Sequence, residues 1–175
     1  MAVAARQGDD DQARDHRPVL PERGLGRALA LWRMGRREQQ DPEPFYRLLA
    51  EQTAATLERR HGSLSGRALL DLGCGPGYYT DALRGLGAEV TPADSDVGQL
   101  ELAGRAPDGA VVADAEAMAF ADASFDGVFC SNLLEHTPNP LAVITEIERV
   151  LRPGGWAYVS WTNCLLYTSP SPRDS

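Results

Sequence analysis

From residue 67 onward the chain alternates short apolar runs with stretches in which apolar positions recur every three or four residues. Runs of the first kind read as strands buried on both faces, and stretches of the second kind as helices with one apolar face. Strands are expected over Arg67–Leu72, Ala88–Ala93, Gly109–Ala113, Phe125–Ser131 and Trp156–Trp161, the fourth entered through the turn Asp122-Ala123-Ser124. Helices are expected over Gly77–Leu86, with Gly87 suited to the residue after the helix end, and over about Asp96–Arg105. A third begins at Asn139-Pro140, an asparagine cap followed by a proline in the first helical position. Its core face is expected to hold Leu141, Ile144, Ile147 and Leu151, with Arg149 and Arg152 at its negative end and Pro153-Gly154-Gly155 as its stop.

Upstream of this alternation, Phe45 to about Arg60 predicts a helix with Phe45, Leu48, Leu49, Thr56 and Leu57 on one face, bounded by Asp41-Pro42-Glu43-Pro44 and His61-Gly62-Ser63. A short helix is expected over Gly24–Arg37, with Leu25, Leu29 and Trp32 on one face, within a segment 1–40 whose first twenty or so residues read as a mobile tail. The order of strands and helices predicts an α/β fold, a Rossmann-like, doubly wound and mostly parallel sheet with helices on both faces. In such sheets ligands bind beyond the carboxyl ends of the strands.

Composition narrows the partners. The chain has 175 residues, 43% hydrophobic and 24% charged, which suits one soluble domain with a core. A net charge of −8 argues against a broad nucleic-acid-binding face, and the cluster Arg23, Arg27, Arg33, Arg36 and Arg37 reads as a solvated helix surface. No apolar stretch is long enough for a bilayer, and residues Met1–Pro21 lack the apolar run of a signal peptide. Three cysteines (Cys74, Cys130, Cys164) form no Cys-x-x-Cys pair, so a cytoplasmic protein without disulfides or a zinc site is expected. The sequence fixes no oligomeric state.

The chemistry concentrates at the first strand end, where Asp71-Leu72 runs into Gly73-Cys74-Gly75-Pro76-Gly77. Glycines there allow a tight turn and let a ligand approach the main chain, while the next helix offers free N–H groups. A dinucleotide calls for Gly-x-Gly-x-x-Gly, and Gly73 and Gly75 fit, but Tyr78 stands where the third glycine would be. Asp94 closes the second strand about 20 residues on, where a carboxylate can hold ribose hydroxyls or cap the following helix. Asp114-Ala115-Glu116 follows the third strand, either as a plain turn or as part of a binding site.

The spacing Gly73-x-Gly75-x-Gly77 after Asp71 resembles motif I of the class I S-adenosylmethionine-dependent methyltransferases. Ser124-Phe125-Asp126-Gly127-Val128, Asn132-Leu133-Leu134-Glu135-His136 and Val150-Leu151-Arg152-Pro153-Gly154-Gly155 resemble, in order, later motifs of the small-molecule branch called type 11. The resemblance covers about Phe45 to Asn163. It implies S-adenosyl-L-methionine as cofactor and a small-molecule methyl acceptor. The implied cofactor residues are Asp71, Gly73, Cys74, Gly75 and Gly77 of the loop, Asp94 and Ser95 at the ribose, Asp114 and Ala115 at the adenine, and Asn132. Tyr46 resembles residues that close over the cofactor, and packs into the core on the alternative reading.

Departures from the family limit the acceptor. Ser131-Asn132-Leu133-Leu134 replaces the Asn/Asp-Pro-Pro-aromatic segment of enzymes that methylate nucleic-acid bases, which points away from that chemistry. Asn132 also breaks the Glu-x-x-Glu-His pattern of some metal-binding O-methyltransferases, so no metal is expected; Glu135 reads as a structural hydrogen-bond partner. His136 is the candidate general base, with substrate orientation or a bond to the next helix as alternatives. Two rival functions remain: an NAD(P)-binding oxidoreductase, and a methyltransferase-like protein that binds cofactor without catalysis.

A complete class I domain continues after strand five with a helix and two strands. Here Cys164–Ser175 carries Pro170 and Pro172 and no periodicity, and it resembles the translation of a transposase-type sequencing adapter. Segment 41–163 is therefore expected to be an incomplete cofactor-binding domain and 164–175 a non-native tail, with strand five an exposed apolar edge prone to aggregation. On this expectation the gene in source DNA diverges from the present sequence after about Asn163.

Overall fold

The apolar runs become the strands of one parallel sheet. The computed structural model describes residues 43–102 and 104–161. The expected N-terminal segment 1–40 with its helix, and the expected tail 164–175, lie outside the described residues. The chain divides into a unit Met1–Phe45 and a unit Tyr46–Ser175, and apart from the first three residues of the first helix everything described belongs to the second.

In chain order the elements are α1 (Glu43–His61), β1 (Ala68–Leu72), α2 (Tyr78–Arg84), β2 (Glu89–Asp94), α3 (Val97–Leu102), β3 (Val111–Val112), β4 (Phe125–Ser131), a 3-10 turn (Leu134–His136), α4 (Pro140–Val150) and β5 (Leu151–Ser160). The strand order is β3-β2-β1-β4-β5, with every pair parallel. The chain therefore builds outward from β1 to β3, crosses back, and builds outward again through β4 to β5. This is the doubly wound α/β architecture expected.

Successive residues on the inner strands feed two cores. Leu69 and Phe129 pack with Ala54 and Leu57 of α1, Leu83 of α2 and Trp156 on one face of the sheet. Leu70, Leu72, Val128 and Cys130 pack with Val143, Ile147 and Val150 of α4 on the other. A strand covered on both sides has no polar face to present, which explains the apolar runs Leu69-Leu70 and Val128-Phe129-Cys130.

Several expectations are corrected. On α1 Leu57 is buried as expected, but it is joined by Ala50 and Ala54 rather than by Phe45, Leu48, Leu49 and Thr56. Small alanines bring this helix close to the sheet, a contact that a search for large apolar residues overlooks. On α4 the buried set is Val143, Ile147 and Val150, while Leu141 and Ile144 are exposed. Ile147 belongs to both candidate stripes. The choice falls to the other one because the helix ends at Val150 and Leu151 already begins β5. Arg152 is likewise in β5, where it pairs with Asp126 at 2.7 Å instead of meeting the helix end. β3 shrinks to two exposed valines at the sheet edge. Asn139 caps α4 as expected, its side chain accepting from Ala142 N at 3.3 Å.

Gly127 of β4 is a packing requirement. A Cβ there would come within 2.5 Å of the Trp156 ring and 3.0 Å of Leu69, both buried in the core. Gly127→Ala should therefore destabilise the fold by about 1–3 kcal/mol. The check is a lower urea midpoint with an unchanged slope; an unchanged midpoint would show that the ring moves aside without cost.

Candidate functional site

The turn from β1 into α2 is left-handed at three places: Gly73, Gly75 and Gly77 have φ of +75°, +48° and +80°. A side chain at any of them would be strained. At Gly77 a Cβ would also strike Pro107 at 2.6 Å, whereas at Gly75 it would meet nothing within 4 Å, so space is open beside the middle of the turn.

The turn's N–H groups are already committed. Gly73 N and Cys74 N donate to the carbonyl of Ala93 at 2.8 and 3.0 Å, and Gly77 N to that of Cys74 at 3.0 Å. Gly75 N donates to Asp94 Oδ2 at 3.0 Å, and Pro76 has none to give. The loop is therefore a shaped wall fastened to the end of β2. It is not a cradle of free donors such as a pyrophosphate needs. Tyr78, at the dinucleotide motif's third glycine, opens α2 and stacks on Tyr46 of α1 at 5.9 Å between ring centres.

Asp71 lies beneath this turn and is almost fully buried. Its Oδ2 accepts from Thr80 Oγ1 at 2.5 Å, tying β1 to α2. Burial pushes its carboxyl up from 3.8 to about 6, with Asp94 adding to the rise and the Thr80 bonds opposing it. Cys74 is buried as well, and desolvation pushes its thiol up to about 12.

Beyond the carboxyl ends of β1, β2 and β3 opens a cleft of about 180 Å³. It brings together Gly73, Asp94, Ser95, Asp114, Ala115 and His136 of the expected set. Asp94 serves the protein at both oxygens, Oδ2 to Gly75 N and Oδ1 to Asp96 N, each at 3.0 Å. Each oxygen has a second lone pair for a ligand hydroxyl. Asp114 uses Oδ1 to accept from Glu116 N at 2.9 Å and is otherwise exposed. His136 closes the 3-10 turn and is exposed. Asp71, Cys74, Gly75, Gly77, Tyr46 and Asn132 do not line this cleft. Asn132 leaves β4 at a left-handed φ of +55°, its N–H donated to Ser160 O at 2.8 Å.

A family model for a methyltransferase domain, type 11, matches residues 70–159. The chain belongs to the S-adenosylmethionine-dependent methyltransferases of type 11. An uncharacterized methyltransferase of Mycobacterium marinum is 40% identical over 147 residues, covering 79% of this chain and 58% of the relative. The chain thus spans little more than half the length of that relative. A crystal structure from Pyrococcus horikoshii OT3 aligns with a TM-score of 0.56 and 27% identity, over 68% of this chain and 55% of that one. The [4+2]-cyclase SpnF aligns with a TM-score of 0.52 and 25% identity, over 62% and 44%.

Some cleft residues were not expected from sequence. Leu133, Glu116, Thr137 and Pro138 also line it. Leu133 presses on the turn, since a Cβ at Gly73 would lie 3.2 Å from its side chain. Thr80 gave no signal because its partner is nine residues away across the turn. Among the described residues no helix is long and apolar enough to cross a membrane.

Asp71 makes the family's glycine turn pH-sensitive. The folded state holds its proton more tightly than the unfolded chain does, so this residue's contribution to stability is largest below about pH 4 and is lost as pH rises through about 6. Asp71→Asn keeps an acceptor for Thr80 and removes the titration. The variant should show a flatter dependence of urea midpoint on pH between 4 and 6; the wild-type slope surviving in it would refute the assignment.

Proposed function

We propose that this chain is the cofactor-binding part of an enzyme that transfers a methyl group from S-adenosylmethionine to a small-molecule acceptor. One observation carries the reading. A turn without spare N–H groups, reaching the cleft at Gly73, an acid ending β2 and an acid following β3 meet at the carboxyl ends of adjacent strands. The residues suit the cofactor better than a dinucleotide. It has no pyrophosphate to claim N–H groups, and its amino-acid portion can lie in the open space beside Gly75. Asp94 would hold the ribose hydroxyls with Ser95 beside it, and Asp114 with the Ala115 N–H would meet the adenine. The turn Gly73–Gly77, set in place by Asp71 and Cys74, would flank the methionine. Tyr46 and Asn132 border this region on the family resemblance.

The cofactor supplies a methyl group already activated on a sulfonium, so the protein's work is alignment and exclusion of water. His136 lies on the cleft wall and exposed, where it can take a proton from an acceptor hydroxyl. The likeness to SpnF, a [4+2]-cyclase, supports a second reading, in which this fold serves a reaction other than methyl transfer.

Calorimetry separates these cases. The chain should bind S-adenosylhomocysteine and not NAD, and Asp94→Ala should weaken that binding by on the order of tenfold or more. Preference for NAD would overturn the reading. In the full-length protein, His136→Ala should keep cofactor affinity and lower turnover by about 100-fold or more; unchanged turnover across pH would remove the base role.

A further inference from the structure

The segment that brings Asp114 and Ala115 to the cleft contains no helix or strand between Ala113 and Ser124. A stretch of that length needs something else to hold its shape. Arg149 of α4 supplies it. Its Nη1 donates to Phe120 O at 2.8 Å and to Asp122 Oδ1 at 2.7 Å, and its Nη2 to Met118 O at 2.8 Å. Its Nε and Nη2 also grip both oxygens of Glu146 at 2.8 Å. Glu146 Oε2 accepts in turn from Met118 N at 2.7 Å, so Met118 is held by both its N–H and its carbonyl. At the segment's start, Glu116 Oε1 accepts from the N–H of Asn139, the cap of the same helix, at 2.8 Å.

The Arg149–Asp122 pair reaches the surface, with the Asp122 side chain 79% exposed, while Glu146 is mostly covered. An exposed pair of that kind contributes little to stability. Their geometry is specific, because a planar fork meets two carbonyls and two carboxylates at fixed angles. Arg149 itself does not line the cleft.

We propose that Arg149 is a positioning residue for recognition of the cofactor's adenine, acting through Met118–Asp122 to fix Asp114 and Ala115 on the cleft wall. The proposal rests on the reading of the cleft as an S-adenosylmethionine site. A displacement of the order of 1 Å in a supporting segment is enough to misplace a hydrogen-bonding group at a site. Lysine cannot replace the fork, since one ammonium cannot span Met118, Phe120, Asp122 and Glu146 together.

The test uses calorimetry on the whole chain with two probes, S-adenosylhomocysteine and S-inosylhomocysteine, which lacks the adenine amino group. Wild type should prefer the first by about tenfold, the value of one well-placed hydrogen bond. Arg149→Ala and Arg149→Lys should reduce this preference to about twofold or less. Glu146→Gln, which keeps an acceptor for Met118 while losing the charged grip on Arg149, should give an intermediate preference. That variant decides the question if circular dichroism shows the Arg149 variants unfolded. A folded Arg149 variant with wild-type preference, or one in which both affinities fall equally, would overturn the proposal. Wild type binding both probes equally would overturn it too, while leaving the cofactor site standing. Wild type binding neither would overturn the cofactor reading, and this proposal with it.

Discussion

The site depends on how the turn after β1 is fastened to the end of β2. Two N–H groups of the turn share the carbonyl of Ala93, and a third reaches the carboxylate of Asp94. This arrangement is possible only because glycines occupy the three left-handed positions, which free the main chain to fold back on its neighbour. Asp71 and Thr80 secure the same turn from below. The result is a rigid backbone wall whose donors are used up, facing a carboxylate that still has acceptor capacity. Shape and acceptor groups, rather than a positive field, are what such a wall offers a ligand.

The parts of the fold that were legible in the sequence are those buried from both sides. β4 occupies the expected Phe125–Ser131 because Val128, Phe129 and Cys130 alternate between two cores, so these central positions had to be apolar. The doubly wound order followed from the same pattern. Where only one side is covered the pattern weakens. Val111 and Val112 look like part of a longer strand, yet at the sheet edge they are exposed and pair over two residues. In α4 two stripes share Ile147, and the end of the helix at Val150, a tertiary fact, selects between them.

The site divides in a similar way. Gly73, Gly75, Gly77, Asp94 and Asp114 were visible because a left-handed backbone or an acid at a strand end restricts residue type locally. The supports were not visible. Arg149 meets Phe120, Met118 and Asp122 across 27 to 31 positions, and Glu116 meets Asn139 across 23. Nothing in the spacing of one arginine near a helix end distinguishes such a clamp from an ordinary partner of the helix dipole. Sequence shows where a ligand could be touched, and the fold shows what keeps the touching groups still.

Cys74 sits inside the turn proposed to flank an activated methyl group. A thiolate there would be a competing nucleophile, able to take the methyl group itself. Burial raises the thiol to about 12, so it stays protonated at neutral pH. Cys74 is buried within the turn and lies outside the lining of the cleft, so its sulfur is held in the thiol form and away from the open space. On the proposed function, the same burial that completes the packing of the turn keeps this sulfur from competing for the methyl group.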